Sequence, residues 1–202
     1  MAKLVVSEFL TLDGVMQAPG GPEEDPSGGF QQGGWSVNFW DDTLMQFVDE
    51  TTSKPFAMVL GRKTYDIMAA FWPHAPKEAG AKVFNDATKY VASHSPLTTE
   101  WQNSVLLEGD AADAVAKLKT EDGPELQVHG SGNLAQGLIR NGLVDEYRLM
   151  VFPVLVGSGK RLFADGAIPS ALRLVDSKVS GTGVFIGAYE PAGEIPIGSF
   201  GL

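Results

Sequence analysis

The sequence predicts an α/β fold: a mostly parallel central sheet with helices on both faces and a C-terminal antiparallel hairpin. Two observations carry this reading. Apolar runs of strand length alternate with amphipathic runs of helix length over most of the chain, and such alternation calls for crossover connections and parallel pairing. The alternation then stops, and two β-rich runs flank the turn "SGTG" at residues 180–183.

The elements follow in order. "KLVVSEFL" (3–10) reads as a buried strand. The segment from Leu12 to Trp35 is too dense in Gly and Pro to be one regular element, and a loop of this length is usually functional or mobile. In "DDTLMQFVDETTS", Leu44, Phe47 and Val48 form a helical stripe, with Asp41 or Asp42 as the N-cap. "FAMVLG" (56–61) is a second strand and "RKTYDIMAAF" a short helix. "KYVASHS" (89–95) and "SVLLEG" (104–109) are the third and fourth strands. Asp110 caps a helix whose apolar face is Ala111, Ala114, Val115 and Leu118, with Gly123 as its stop. "ELQVHG" is a fifth strand, "NLAQGLIRNG" a helix ending at Gly142, and "DEYRLMVFPVLVG" a sixth strand. No linker divides residues 1–202, so one domain is expected.

Composition narrows the function. Hydrophobic residues make up 44% of 202, enough for a packed core. A formal net charge of -10 argues against nucleic acid or an anionic membrane as partner, though local amides and a few cations can still hold a phosphate. Without cysteine there is no disulfide, thiolate metal site or Cys nucleophile. His74, His94 and His129 lack metal-ligand spacing, so no metal is expected. The N-terminal apolar run is too short for a signal peptide or membrane span, and a cytoplasmic protein is expected.

Three strand ends carry candidate chemistry. At "VLGRKTYD", Gly61 ends a strand and Arg62, Lys63 and Thr64 open a helix, so free amides, two cations and a hydroxyl converge as a phosphate needs. At "VHGSGNLAQGLI", Gly130, Ser131 and Gly132 let backbone approach a ligand, and Ser131 or Asn133 can cap the helix. The pattern G-x-G-x-x-A resembles a Rossmann fingerprint. However, Asp145 and Glu146 precede the next strand rather than end it, and only a β-rich tail follows. Ser93, His94 and Ser95 end the third strand and suit an adenosine 2′-phosphate. In a parallel sheet these three ends share one rim.

Taken together, "LGRKTYD", "VASHS" and "VHGSGNL" resemble, in order and spacing, the NADPH-binding turns of the dihydrofolate reductase fold. With "SEFLTLDGVM" and "VHGSGNLAQGLIRNGLVDEYRLMVFPVLVGSGKRLF", the chain is most similar to the reductase domain of riboflavin-biosynthesis deaminase-reductases and its stand-alone relatives, from about residue 3 to 190. The deaminase zinc signature is absent.

The resemblance implies a three-layer α/β/α domain that uses NADPH. Gly61, Arg62, Lys63 and Thr64 would hold the pyrophosphate and 2′-phosphate side. Ser93, His94 and Ser95 would lie near the adenosine phosphate, and Gly130, Ser131, Gly132, Asn133 and Leu134 would face the pyrophosphate from the other side. Leu12 to Trp35 would be the loop that closes over the nicotinamide, and the C-terminal strands would make a homodimer. Asp13 of "LDG" and Asp42 are the candidate catalytic acids, with Tyr65 a further proton donor to weigh. Trp40 is a ring that stacks on a heterocycle or belongs to the core. Lys160 and Arg161 form either an anion clamp or a solvated loop. Three functions stay open: a reductase of a small heterocyclic or carbonyl substrate, a true dihydrofolate reductase, and a non-catalytic NADP(H)-binding protein.

Overall fold

The computed structural model describes residues 1–76, 80–164 and 167–201. Its strands are β1 (Leu4–Thr11), β2 (Phe56–Gly61), β3 (Thr88–Ala92), β4 (Ser104–Leu106), β5 (Glu125–His129), β6 (Glu146–Phe152), β7 (Leu172–Val179) and β8 (Phe185–Pro191). Its α-helices are α1 (Asp42–Thr52), α2 (Arg62–Phe71), α3 (Ala81–Asp86), α4 (Ala111–Thr120) and α5 (Gly132–Arg140). The strands form one sheet in the order β4-β3-β2-β5-β1-β6-β8-β7. Every pairing from β4 to β6 is parallel, and β8 runs antiparallel to β6 and to β7. The sheet and the C-terminal hairpin are therefore as the sequence predicts. The hairpin turns at Ser180–Gly183, where the Ser180 amide donates to the Val184 carbonyl.

Pairing register sorts the strand residues onto two faces. Leu4, Val6, Ala57, Val59, Leu126, Val128, Tyr147 and Leu149 share one face and pack on Val115 of α4 and on Ala135 and Leu138 of α5. The opposite face carries two separate clusters. Phe56, Met58, Leu60 and Val91 pack with Tyr65 of α2, while Met150, Phe152 and Ile186 pack with Leu44 and Phe47 of α1. Helices thus cover both faces, giving three layers. Each fully buried Leu, such as Leu4 or Leu138, contributes roughly 1.5–3 kcal/mol of apolar burial. Among the described residues, no helix is long and apolar enough to cross a membrane.

Several element boundaries differ from the sequence expectation. α4 stops at Thr120, and Gly123 lies beyond it without a left-handed φ, so Gly123 is not its stop. Gly142 does end α5, at φ +64°. Asp41, not Asp42, caps α1, accepting from the Leu44 amide at 3.0 Å. β3 ends at Ala92, which puts Ser93, His94 and Ser95 in the turn after it. β4 keeps only its first three residues, and β6 ends at Phe152, before Pro153. The short α3 has no strong amphipathic stripe and was not expected.

Candidate active site

Sheet order creates the site. β5 lies between β2 and β1 although it follows both in sequence. The chain leaves β5 toward α5 on one face, whereas β1 and β2 lead to α1 and α2 on the other. Where neighbouring strands depart to opposite faces, their carboxyl ends part and leave a crevice that ligands use. Here the strand order puts such a switch point on each side of β5.

The glycine turn after β5 is locked to the turn after β2. Ser131 Oγ accepts the Gly61 amide at 2.9 Å, and the Ser131 amide donates to Thr64 Oγ1 at 2.9 Å. Ser131 adopts φ +59°, a left-handed conformation that costs a non-glycine residue about 1–2 kcal/mol and is held by these two bonds. Gly130 is also left-handed, and a Cβ there would sit 3.0 Å from Thr64 Cγ2. The expected role of Ser131 as a side-chain cap is therefore corrected: its hydroxyl turns toward β2 instead. Neither α2 nor α5 has a side-chain hydrogen bond at its N-cap. Two helix N-termini stand together with amides available to an anion.

The third turn joins through Arg62. Its Nε bonds both carboxylate oxygens of Asp66 at 2.9 and 2.8 Å, and Nη1 reaches Ser95 Oγ at 3.3 Å and the Pro96 carbonyl at 3.2 Å. Ser93 Oγ donates to the Ser95 carbonyl at 2.8 Å, and His94 is exposed. Gly61, Arg62, Thr64, Ser95, Gly130 and Ser131 are thus linked in one chain of contacts. Gly132 opens α5, Asn133 is exposed in its first turn, and Leu134 packs on the core.

Lys63 points elsewhere. Its ammonium binds Asp25 Oδ1 at 2.5 Å and Ser27 Oγ at 2.9 Å. Lys160 binds the other oxygen, Oδ2, at 2.6 Å. Burial pushes the Asp25 carboxyl up, but hydrogen bonds from Lys160 and Lys63 outweigh it and hold the group well below the carboxylate range. Lys160 is half-exposed but not a free clamp; it fastens the long loop. Gln17 reinforces the fastening, donating to the carbonyls of Asp25 and Ser27 and accepting the Lys160 amide.

The candidate acids sit differently. Asp13 accepts from Thr11 Oγ1 at 2.6 Å and from the Gly157 amide at 2.8 Å, with Arg161 at 3.7 Å. The Thr11 bond leads in lowering its pKa. Asp42 is exposed in the first turn of α1. Tyr65 is buried, its hydroxyl accepting the Trp101 amide at 3.3 Å within the β2–α2 core. Trp40 meets Phe9 edge-on at 5.6 Å and stays 38% exposed.

Two titratable groups that the sequence does not mark as site residues stand at the last rung of the β1–β5 pairing or just beyond it. On the α1 face, His129 is paired in register with Ser7, and its Nε2 lies 2.9 Å from Gln127 Oε1. Burial, reinforced by the Arg148 cation, lowers the imidazole pKa to about 4. On the α5 face, Glu8 is 4% exposed between Val6 and Leu10, and burial pushes its carboxyl well above the usual range despite the facing Gly130 amide. Its Oε1 lacks a hydrogen-bond partner. The signal for Glu8 was a charged residue inside the apolar run "KLVVSEFL". A bound dinucleotide fits this setting, with two uncapped helix N-termini for its phosphates and an orphaned polar atom beside the turn for its ring end.

This fold and rim define an α/β protein with two linked turns and two uncapped helix N-termini at the carboxyl ends of its central strands. The RibD C-terminal domain family model matches residues 2–186, and the chain belongs to that family. The sequence resemblance pointed to the same family. Among curated proteins, the chain is similar to YyaP of Bacillus subtilis (strain 168), 26% identical over 187 residues and covering 90% of this chain and 91% of that one. YwjB of the same organism is 29% identical over 127 residues, 63% of this chain and 69% of that one. Two solved structures share the fold. One is a protein assigned to riboflavin biosynthesis from Shewanella sp. PV-4, with TM-score 0.65 and 19% identity, covering 95% of this chain and 99% of that one. The other is a pyrimidine reductase-like protein of Corynebacterium diphtheriae, with TM-score 0.60 and 13% identity, covering 95% and 92%.

Proposed function

We propose that the protein is an NADPH-dependent reductase of a small heterocyclic (pyrimidine- or pterin-like) or carbonyl substrate, working as one domain. Membership of the RibD C-terminal domain family supports a reductase of the riboflavin-pathway type. The observation that carries the cofactor is the locked pair of turns, Gly61–Thr64 and Gly130–Ser131, with both helix N-termini uncapped. Thr64 and Ser131 would hold the turns in register, and the first-turn amides of α2 and α5 would bind the pyrophosphate. Arg62 with Ser93, His94 and Ser95 would take the adenosine phosphate. Bound NADPH would supply the hydride. The protein's part is to fix the acceptor against the ring and exclude water, and the fastened loop from Leu12 to Trp35 serves that exclusion.

Asp13 and Asp42 are the proposed acids on the substrate side. Because its pKa is lowered, Asp13 stays ionised at neutral pH and would orient a substrate N–H or a water rather than store a proton. Asn at either position, followed by single-turnover hydride transfer, separates their roles; unchanged rates in both remove them. A homodimer through the sheet edge is supported by β7, an edge strand exposing Leu174 and Val179 at 49% and 65%. A monomeric mass in light scattering counts against it. The reading as a whole is tested by titrating NADPH against the folded protein by fluorescence. Saturation in the micromolar range is expected, and absence of binding at high micromolar concentration overturns it.

A further inference from the structure

Among the described residues, Glu8 Oε1 is the buried side-chain polar atom left without a hydrogen-bond partner. Its position gives this meaning. The β1–β5 pairing ends at Ser7 opposite His129, so Glu8 is the first residue of β1 beyond the last rung, at the switch point between the two strands. The Gly130 amide, first in the glycine turn, faces its carboxyl. Around it the face is apolar, from Val6 and Leu10 on its own strand to Met16, whose sulfur lies 3.1 Å from where a Gly132 Cβ would stand. A carboxylate in such surroundings takes up a proton. The resulting acid offers one O–H donor and one carbonyl acceptor side by side. A primary carboxamide presents the matching acceptor and donor in the same geometry, and a phosphate or a sugar hydroxyl does not.

We propose that Glu8 is a specificity-determining residue for the ring end of the dinucleotide, its carboxyl pairing with the nicotinamide carboxamide. The inference rests on the NADPH reading above and names the side chain that would recognise the ring.

The test measures binding rather than turnover, by calorimetry on the full chain. Its ligands are NADPH, the reduced 3-acetylpyridine analogue, which lacks the carboxamide N–H₂, and adenosine 2′,5′-bisphosphate, which lacks the ring. Wild type is expected to prefer NADPH over the acetyl analogue by about tenfold, the scale of one hydrogen bond. Glu8→Met should abolish that preference and weaken NADPH by about tenfold or more. Glu8→Gln, which keeps one donor and one acceptor, should retain it. All three proteins should bind the bisphosphate equally. A Glu8→Met protein that still prefers NADPH overturns the inference, as does one that loses bisphosphate affinity in parallel. If wild type binds the bisphosphate and NADPH but residue 8 does not affect discrimination, this inference alone falls. If wild type binds neither, the NADPH reading falls with it.

Discussion

Replacing Asp25 with Asn should unfasten the long loop without unfolding the sheet. Asp25 is 7% exposed and pairs with two ammonium groups, Lys63 from the start of α2 and Lys160 from the segment after β6. Asparagine keeps the size and one acceptor oxygen but removes the charge. The lysine side chains are 53% and 49% exposed, so the loss is smaller than the 3–5 kcal/mol typical of breaking a buried pair. Exposed pairs are worth about 0.2–1 kcal/mol each, and a carboxylate this sheltered puts both near the upper end. The sum is about 2 kcal/mol, or roughly thirtyfold in the equilibrium between closed and open loop. Native-state hydrogen exchange reads this directly. Amides of residues 17–36 should exchange roughly thirtyfold faster in the variant at low salt, while those of β1, β2 and β5 stay unchanged. The Trp35 indole N–H, bonded to the Gln17 carbonyl at 2.8 Å, is a second reporter. Raising ionic strength should narrow the gap by loosening the wild-type loop. The folded pKa of Asp25 is depressed, so its contribution is present above the unfolded value near 3.8 and lost as pH falls through the folded value. Between pH 5 and 8 the difference should therefore be flat. Equal loop exchange in the two proteins, or a loss of protection spread evenly over the sheet, would refute the loop-fastening role.

Four further outcomes come from contacts around β1 and the glycine turn. Glu8→Met should raise Tm by roughly 4–8 °C, because it removes a buried unsatisfied group costing about 2 kcal/mol. The folded chain holds the Glu8 proton that the unfolded chain releases above about 4.5, so wild-type stability should fall relative to Glu8→Gln as pH rises above that value toward the folded one, by at most about 1.4 kcal/mol per unit; a pH-independent difference contradicts a raised Glu8 pKa. The His129 ring should titrate by NMR at about 4, and because the unfolded ring takes its proton near 6.5, stability should fall as pH drops between those values; a ring titration near 6.5 removes this account. Gly130→Ala should cost about 2 kcal/mol, from left-handed strain at φ +57° plus the 3.0 Å approach to Thr64, and should weaken NADPH binding; an unchanged Tm and affinity would mean that the turn has slack.

How far the sequence exposes this architecture depends on the range of each interaction. Local signals were enough for the elements: the apolar run Phe56–Leu60, the Leu44–Phe47–Val48 stripe and the "SGTG" turn each encode their own conformation within a few residues. The strand ends at Gly61, Ser93 and Gly130 could be placed on one rim because parallel strands present their carboxyl ends together. Sheet order is non-local, and nothing near residues 125–129 reveals that β5 inserts between β1 and β2. That insertion puts Ser131 against Gly61 and Thr64, 70 and 67 residues away, and makes Gly130 the neighbour of Glu8. It also explains why a Rossmann-like pattern occurs so late in the chain. The glycine turn serves the centre of the sheet because the last parallel crossover, through α5, returns the chain to β6 beside β1. Asp25 was harder still, since "PEEDP" contains three acids and only packing selects the one that meets Lys63 and Lys160. In both cases a charge stands where local pattern expects an apolar or loop residue. In the folded chain, Glu8 lacks a partner for one oxygen at the switch point, whereas Asp25 has two cations. An orphaned polar atom is tolerated where a ligand can satisfy it, and a saturated one where the protein must hold itself shut. The two carboxylates therefore have complementary proposed roles, in which Glu8 reads what enters and Asp25 keeps the loop in place around it.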